Sequence, residues 1–348
     1  MKLTGRGRRF ATTTHRQTVT GLGLPSEPRP CSLCGDVIPL HGPSTLDPLS
    51  PRRPVPRPFR WDLRRREQLG RLIPAPLRPP DPEILAHLRQ CAAQTVATAG
   101  DSDLVFLGRS PESLFDYLSG ALASTPWIER LFLLNLSIRS DSPTGATTRL
   151  KLTPPQRQAG REHLAALGLA PDELLTRPRP VALVDLVYRG ATFGNLLAFL
   201  DQWAGEQSIE PAAIRRRLRI IGITERTRNS PNTWRWQQQA PWAKTFRPSA
   251  LKGVSVDPRF WTHLGDRQAK TMPSHPPWRW MDETALKPSR APDHMEGLSF
   301  AVALYETARS SKERTAFTAV LARQPTMRSQ WFRSLVVNLR RRSGITTA

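Results

Sequence analysis

From residue 81 onward the apolar positions follow two alternating rhythms. Short continuous apolar runs, at 103–107, 131–136, 181–185 and 218–223, end in a glycine, an acid or a turn. Between them lie stretches whose apolar residues recur at three and four positions, the helical spacing. The runs are too short for helices and predominantly apolar, so they predict strands buried on both faces. A helix over 81–98 is marked by Asp81-Pro82-Glu83, an acidic cap followed by proline at the first helical position. Ser110-Pro111-Glu112 opens a second, with Leu114, Leu118, Ala121 and Leu122 on one face. A third spans 154–168. A fourth runs from Thr192 with Phe193, Leu196, Leu197, Leu200 and Trp203 at helical spacing. Strands alternating with helices predict right-handed crossovers and an α/β fold, a parallel sheet flanked by helices.

The flanks follow other rules. Residues 1–80 hold 14 prolines and 15 basic residues against five acids. Proline fixes φ and removes a donor, so this stretch predicts a disordered or extended Pro/Arg-rich arm ahead of a core at 81–225. Residues 226–290 carry six of the ten tryptophans among arginines and prolines, and predict an irregular tryptophan-rich lid. Its tryptophans either cover the core or form a stacking surface for bases. Residues 291–348 read as a helical extension of two or three helices. The last, about 327–342, has Trp331, Leu335, Val336 and Leu339 on one face, and the arginines at its end complement the helix dipole.

Charge adds one question. The chain has a net charge of +22. That fits a polyanionic partner, nucleic acid or a phosphorylated molecule. It also fits composition alone, since only seven of the 51 basic residues are lysine. The three cysteines form no disulfide framework, which suits a reducing compartment. No apolar run approaches the roughly 18 residues of a membrane helix. Residues 1–25 contain no acid and resemble either a transit peptide or a disordered leader. Taken together these features predict a cytoplasmic protein without a membrane partner.

In an open parallel sheet, ligands bind beyond the C-terminal strand ends. Two turns lie at such ends. In the first, Gly108 lets the backbone approach a ligand, Arg109 offers a forked donor, and the helix start at Ser110 presents free amides to an anion. In the second, Asp185 leaves its strand and a loop through Tyr188, Arg189, Gly190 and Ala191 reaches Thr192. A carboxylate there accepts from two vicinal ribose hydroxyls, and the loop amides with the threonine hydroxyl bind a terminal phosphate. No P-loop, dinucleotide fingerprint or GxSxG nucleophile turn is present.

The stretch VALVDLVYRGATFGNLL resembles the ribose-phosphate signature of type I phosphoribosyltransferases. In that signature an apolar run, two acids and a short loop lead to Thr-Gly-x-Thr. Val181 to Val184 match the run, Asp185 the first acid, and Gly190 and Thr192 the glycine and last threonine. The resemblance implies that Asp185 holds ribose hydroxyls, that residues 188–192 hold the 5′-phosphate and that magnesium enters with the ligand, Asp185 supporting it indirectly. DLVFLGRSPESLFDYLSG is similar to the family's pyrophosphate loop, with Gly108, Arg109 and Ser110 in it, and 139–151 falls where the family has its mobile catalytic loop. Leu186 replaces the second acid and Arg189 the first threonine. A lost acid weakens stabilisation of a cationic transition state. Both a transferase and a non-catalytic nucleotide-sensing or nucleic-acid-binding regulator are therefore carried forward.

Other signals are thinner. Cys31 and Cys34, in a CxxCG, are half of a zinc knuckle, with His15 and His41 at irregular spacing. His263, His275 and His294 have no partner at ligand spacing.

Overall fold

The computed structural model describes residues 58–73, 76–138, 150–228 and 235–342. Cys31, Cys34, His15 and His41, with most of the expected catalytic loop, lie outside them. So does much of the expected Pro/Arg-rich arm.

Five parallel strands form one sheet in the order β2-β1-β3-β4-β5. They are β1 (Asp103–Leu107), β2 (Leu131–Leu134), β3 (Val181–Leu186), β4 (Leu218–Glu225) and β5 (Leu251–Val256). The α/β class expected from the sequence is thus present. Four of the strands fall on the apolar runs. The fifth lies inside the stretch expected to be irregular and pairs with β4 from Ile220↔Leu251 to Glu225↔Val256. It is an edge strand, with Lys252 and Gly253 exposed and only Val254 and Val256 buried. Its sequence therefore lacks the continuous apolar run that marks the inner strands.

Helices cover both faces. On one lie α1 (Pro82–Ala99), α2 (Glu112–Ala121), α9 (Pro292–Arg309), α10 (Ser311–Ala322) and α11 (Gln330–Arg342). Alternate strand residues Leu104, Phe106, Ala182, Val184, Ile221 and Ile223 face this side, packed with Tyr117, Phe317 and Phe332. The opposite residues Val105, Leu107, Val181, Leu183 and Ile220 meet α3 (Pro154–Ala165), α4 (Pro171–Thr176), α5 (Ala191–Glu206) and α6 (Pro211–Arg217). Period-two alternation with both faces covered is why the runs are apolar on both alternating sets of positions. The C-terminal helices therefore build one face of the core. They do not hang from it as an extension.

Local signals set the helix starts. Asp81 accepts from the amides of Glu83 and Ile84 with proline at the first position of α1. Thr153 and Gln156 close a capping box on α3.

Residues 58–73 correct the expectation for the arm. They fold against α9: Leu63, Leu69 and Ile73 are buried with Leu298, Ala301, Val302 and Tyr305. Arg60 Nη2 donates to both oxygens of the Asp116 carboxylate of α2, at 2.5 and 2.6 Å, both groups buried. Proline density hid this anchor, because its regular structure is limited to two 3-10 helices of three residues, too short to show a periodic apolar pattern.

Candidate functional site

The site begins with connectivity. From β1 the chain passes to β2 on one side. It then returns to β3 on the other side and continues outward to β4 and β5. Such a reversal opens a crevice between the C-terminal ends of the two central strands. Phe106 pairs with Val184, so Leu107 stands beside Asp185 and both expected turns leave neighbouring strand ends.

The first turn is shaped by Gly108, at φ 68°, in the left-handed region that favours glycine. Its amide donates to Leu134 O at 2.7 Å. Arg109 donates through Nη1 to Met272 O at 3.1 Å. Burial pushes its guanidinium below the ordinary value, opposed by the nearby Glu112 charge. The helix that follows, α2, has no side-chain cap on its first amides.

A segment after β5 clamps this turn from above. It includes α8 (Pro258–Thr262) and runs on through 263–275. Gln268 Nε2 donates to Ser110 O at 3.0 Å and its Oε1 accepts from Ser113 Oγ. Lys270 Nζ donates to Leu264 O at 2.7 Å and Arg109 O at 3.4 Å. Burial lowers the Lys270 ammonium to about 8, with Glu112 pulling upward and Arg109 downward. Glu112, 2% exposed, accepts from Thr271 N at 3.2 Å and Thr271 Oγ1 at 2.9 Å. Sequence reasoning missed Gln268, Lys270 and Glu112. They lie 155–161 positions from their partners in the turn, or read as an ordinary first-turn acid.

The second turn is built on Asp185. The carboxyl is 6% exposed and Oδ1 accepts from Leu186 N at 2.7 Å. Burial raises it to about 7, against the Leu186 amide and the Thr192 hydroxyl, which pull it down. Gly190, at φ 78°, is the N-cap of α5, and no side chain caps the helix. Tyr188 is exposed, with the Arg189 guanidinium 5.4 Å from its ring centre.

Tryptophans cover the far side of this turn. Trp236 in α7 (Trp236–Gln239) is buried, and Trp242 Nε1 donates to Gly190 O at 3.0 Å. A Cβ at Gly194 would stand 2.7 Å from Trp242. Trp280 is buried as well, whereas Trp278 is 64% exposed. Of the two roles weighed for these residues, Trp236, Trp242 and Trp280 serve as cover.

Asn135, just past β2, is another residue the sequence did not flag. It is 4% exposed and its Oδ1 has no hydrogen-bond partner among the described residues. Lys151, at the near end of the expected catalytic loop, lines a separate cleft of about 390 Å³ with Arg157 and Asn195. Among the described residues no group of three or more His, Cys, Asp or Glu is placed to hold a metal ion. Among them, too, no helix is long and apolar enough to cross a membrane. No family model matches the chain, and neither the curated proteins nor the solved structures contain a match to it.

Proposed function

We propose that the chain binds a phosphorylated ribose, phosphoribosyl pyrophosphate or a nucleotide, in the crevice between the ends of β1 and β3. The carrying observation is the adjacency of two glycine turns at the sheet's reversal point, each opening a helix without a side-chain cap. Helix-start amides and dipoles favour an anion, and two such starts fit a ligand with phosphates at both ends. On this reading Gly108, Arg109 and Ser110 take the pyrophosphate. Gly190, Ala191 and Thr192 take the 5′-phosphate, with Tyr188 and Arg189 at the rim. Asp185 takes the ribose hydroxyls.

Magnesium would arrive on the ligand's phosphates. Asp185, buried and already holding an amide proton, does not by itself make a magnesium site. A carboxyl raised to about 7 is also only partly ionised at neutral pH. With Leu186 in place of a second acid, a cationic transition state finds little negative charge. This favours the regulator, a binding protein on the same fold, over an efficient transferase. A phosphoribosyltransferase acting on an acceptor base is the second reading.

The test is thermal stabilisation by phosphoribosyl pyrophosphate with magnesium, beside ribose 5-phosphate and pyrophosphate. Ligand at a hundredfold over Kd adds roughly 2.7 kcal/mol. The increment should shrink in Asp185→Asn when compared with that variant's own baseline. Absence of any increment in the wild type rejects the ligand class.

A further inference from the structure

The second place where polar groups converge lies away from the two turns, between α3 and residues 280–286. Gly160 of α3 brings the two together: a Cβ there would stand 2.8 Å from the Trp280 ring. Beside this contact is a cleft of about 400 Å³, within the usual range of small-molecule sites.

His163 and His275, 112 positions apart in sequence, both line it with rings edge-on at 5.4 Å. His275 is held by its carbonyl, which accepts from Ser137 N at 3.0 Å and Trp280 Nε1 at 2.9 Å. The residue is 2% exposed, and its Nδ1 has no hydrogen-bond partner among the described residues. Leaving a buried polar atom unpaired is costly, so such an atom calls for a ligand or another specific reason. Burial, His163 and Arg279 hold the imidazole down to about 4, so at neutral pH it is uncharged and one ring nitrogen accepts.

The charge around the cleft is unlike the rest of the chain. Among the described residues, Glu162, Asp282 and Glu283 line it, and no lysine or arginine does. Asp282 is taken by Arg279 at 3.2 Å. Glu162 and Glu283 have no ion-pair partner among the described residues. Met281 and Leu286, 52% and 41% exposed, add apolar surface at the rim.

We propose that this cleft binds a small organic cation, an amidinium, guanidinium or amine on a flat or aliphatic body. The ligand donates an N–H to His275 Nδ1, sets its charge against Glu162 and Glu283, and covers Met281 and Leu286. The site shares no residue with the two turns and does not depend on the ribose-phosphate reading.

The experiment titrates the full chain with benzamidine, followed by calorimetry, beside neutral benzamide and anionic benzoate. Benzamidine should bind with Kd on the order of 1 mM, reasonable for so small a probe. Benzamide should bind about tenfold more weakly and benzoate not measurably. Both glutamates are exposed, so the double variant Glu162→Gln, Glu283→Gln keeps the fold and should lose about tenfold in affinity. Failure of benzamidine to bind overturns the proposal. So does equal binding of all three probes, or full affinity in the double variant.

Discussion

Asp185 lies opposite Gly222 in the β3–β4 ladder, and the room a side chain at 222 would fill is taken by the Trp236 indole. A Cβ there would stand 2.9 Å from the ring. Register partners point to the same face of a sheet, so the indole stands beside the Asp185 carboxyl. This aromatic cover is one source of the desolvation that raises the acid.

Gly222→Ala should therefore destabilise the fold by about 1–3 kcal/mol, the usual cost of overpacking. The reading is the urea midpoint at unchanged slope. Pairing it with Trp236→Phe should recover part of the loss, because the two changes share one contact. A midpoint equal to wild type in Gly222→Ala would mean the indole is elsewhere.

Burial of Asp185 also fixes a pH dependence. Its folded value, about 7, lies above the ordinary 3.8, so the folded state holds the proton more tightly. The contribution is fully present below pH 3.8 and is lost as pH rises through 7. His275 has the opposite sign, its folded value of about 4 lying below the ordinary 6.5. The useful quantity is thus wild type minus Asp185→Asn. That difference should fall by a few kcal/mol between pH 4 and 7, at about 1.4 kcal/mol per pH unit. A flat difference across this window would show that the carboxyl is solvated.

Legibility in the sequence tracked the physics of burial. Strands covered on both faces are apolar at most positions of either face, and β1, β3 and β4 stood out for that reason. Edge strand β5 has one wet side and did not. Both glycine turns were visible because a left-handed backbone at 108 and 190 calls for glycine at the end of an apolar run. The clamp by Gln268 and Lys270 was not. Its partners are brought together only by the tertiary path after β5, and neither residue belongs to a periodic pattern. Arg60 was hidden in the same way, inside a proline-rich stretch that gave no hint of Asp116.

That ion pair gives a third expectation. Arg60→Ala leaves Asp116 buried without its cation, an acid already raised to about 6 by burial. The loss should be about 3–5 kcal/mol, read as a fall in the denaturation midpoint. Arg60→Met with Asp116→Leu, which removes both charges and keeps the volume, should restore most of it. If Arg60→Ala costs less than about 1 kcal/mol, residues 58–73 are not part of the cooperative fold.

Lys270 joins the clamp to the proposed anion site. Its ammonium, at about 8, lies below the ordinary 10.5, so the unfolded chain keeps the proton to higher pH. The sign follows: wild-type stability should rise between pH 8 and 10.5, and Lys270→Met should lack that rise. The ligand response runs the other way, because a phosphate gains from the charged form. Pyrophosphate affinity should fall as pH passes 8 in the wild type, while in Lys270→Met it should be about tenfold lower at pH 7 and lack that step. Glu112, Arg109 and Asp266 surround the ammonium. Identical affinity profiles in the two proteins would remove Lys270 from the site, leaving it as a brace that ties Leu264 to Arg109.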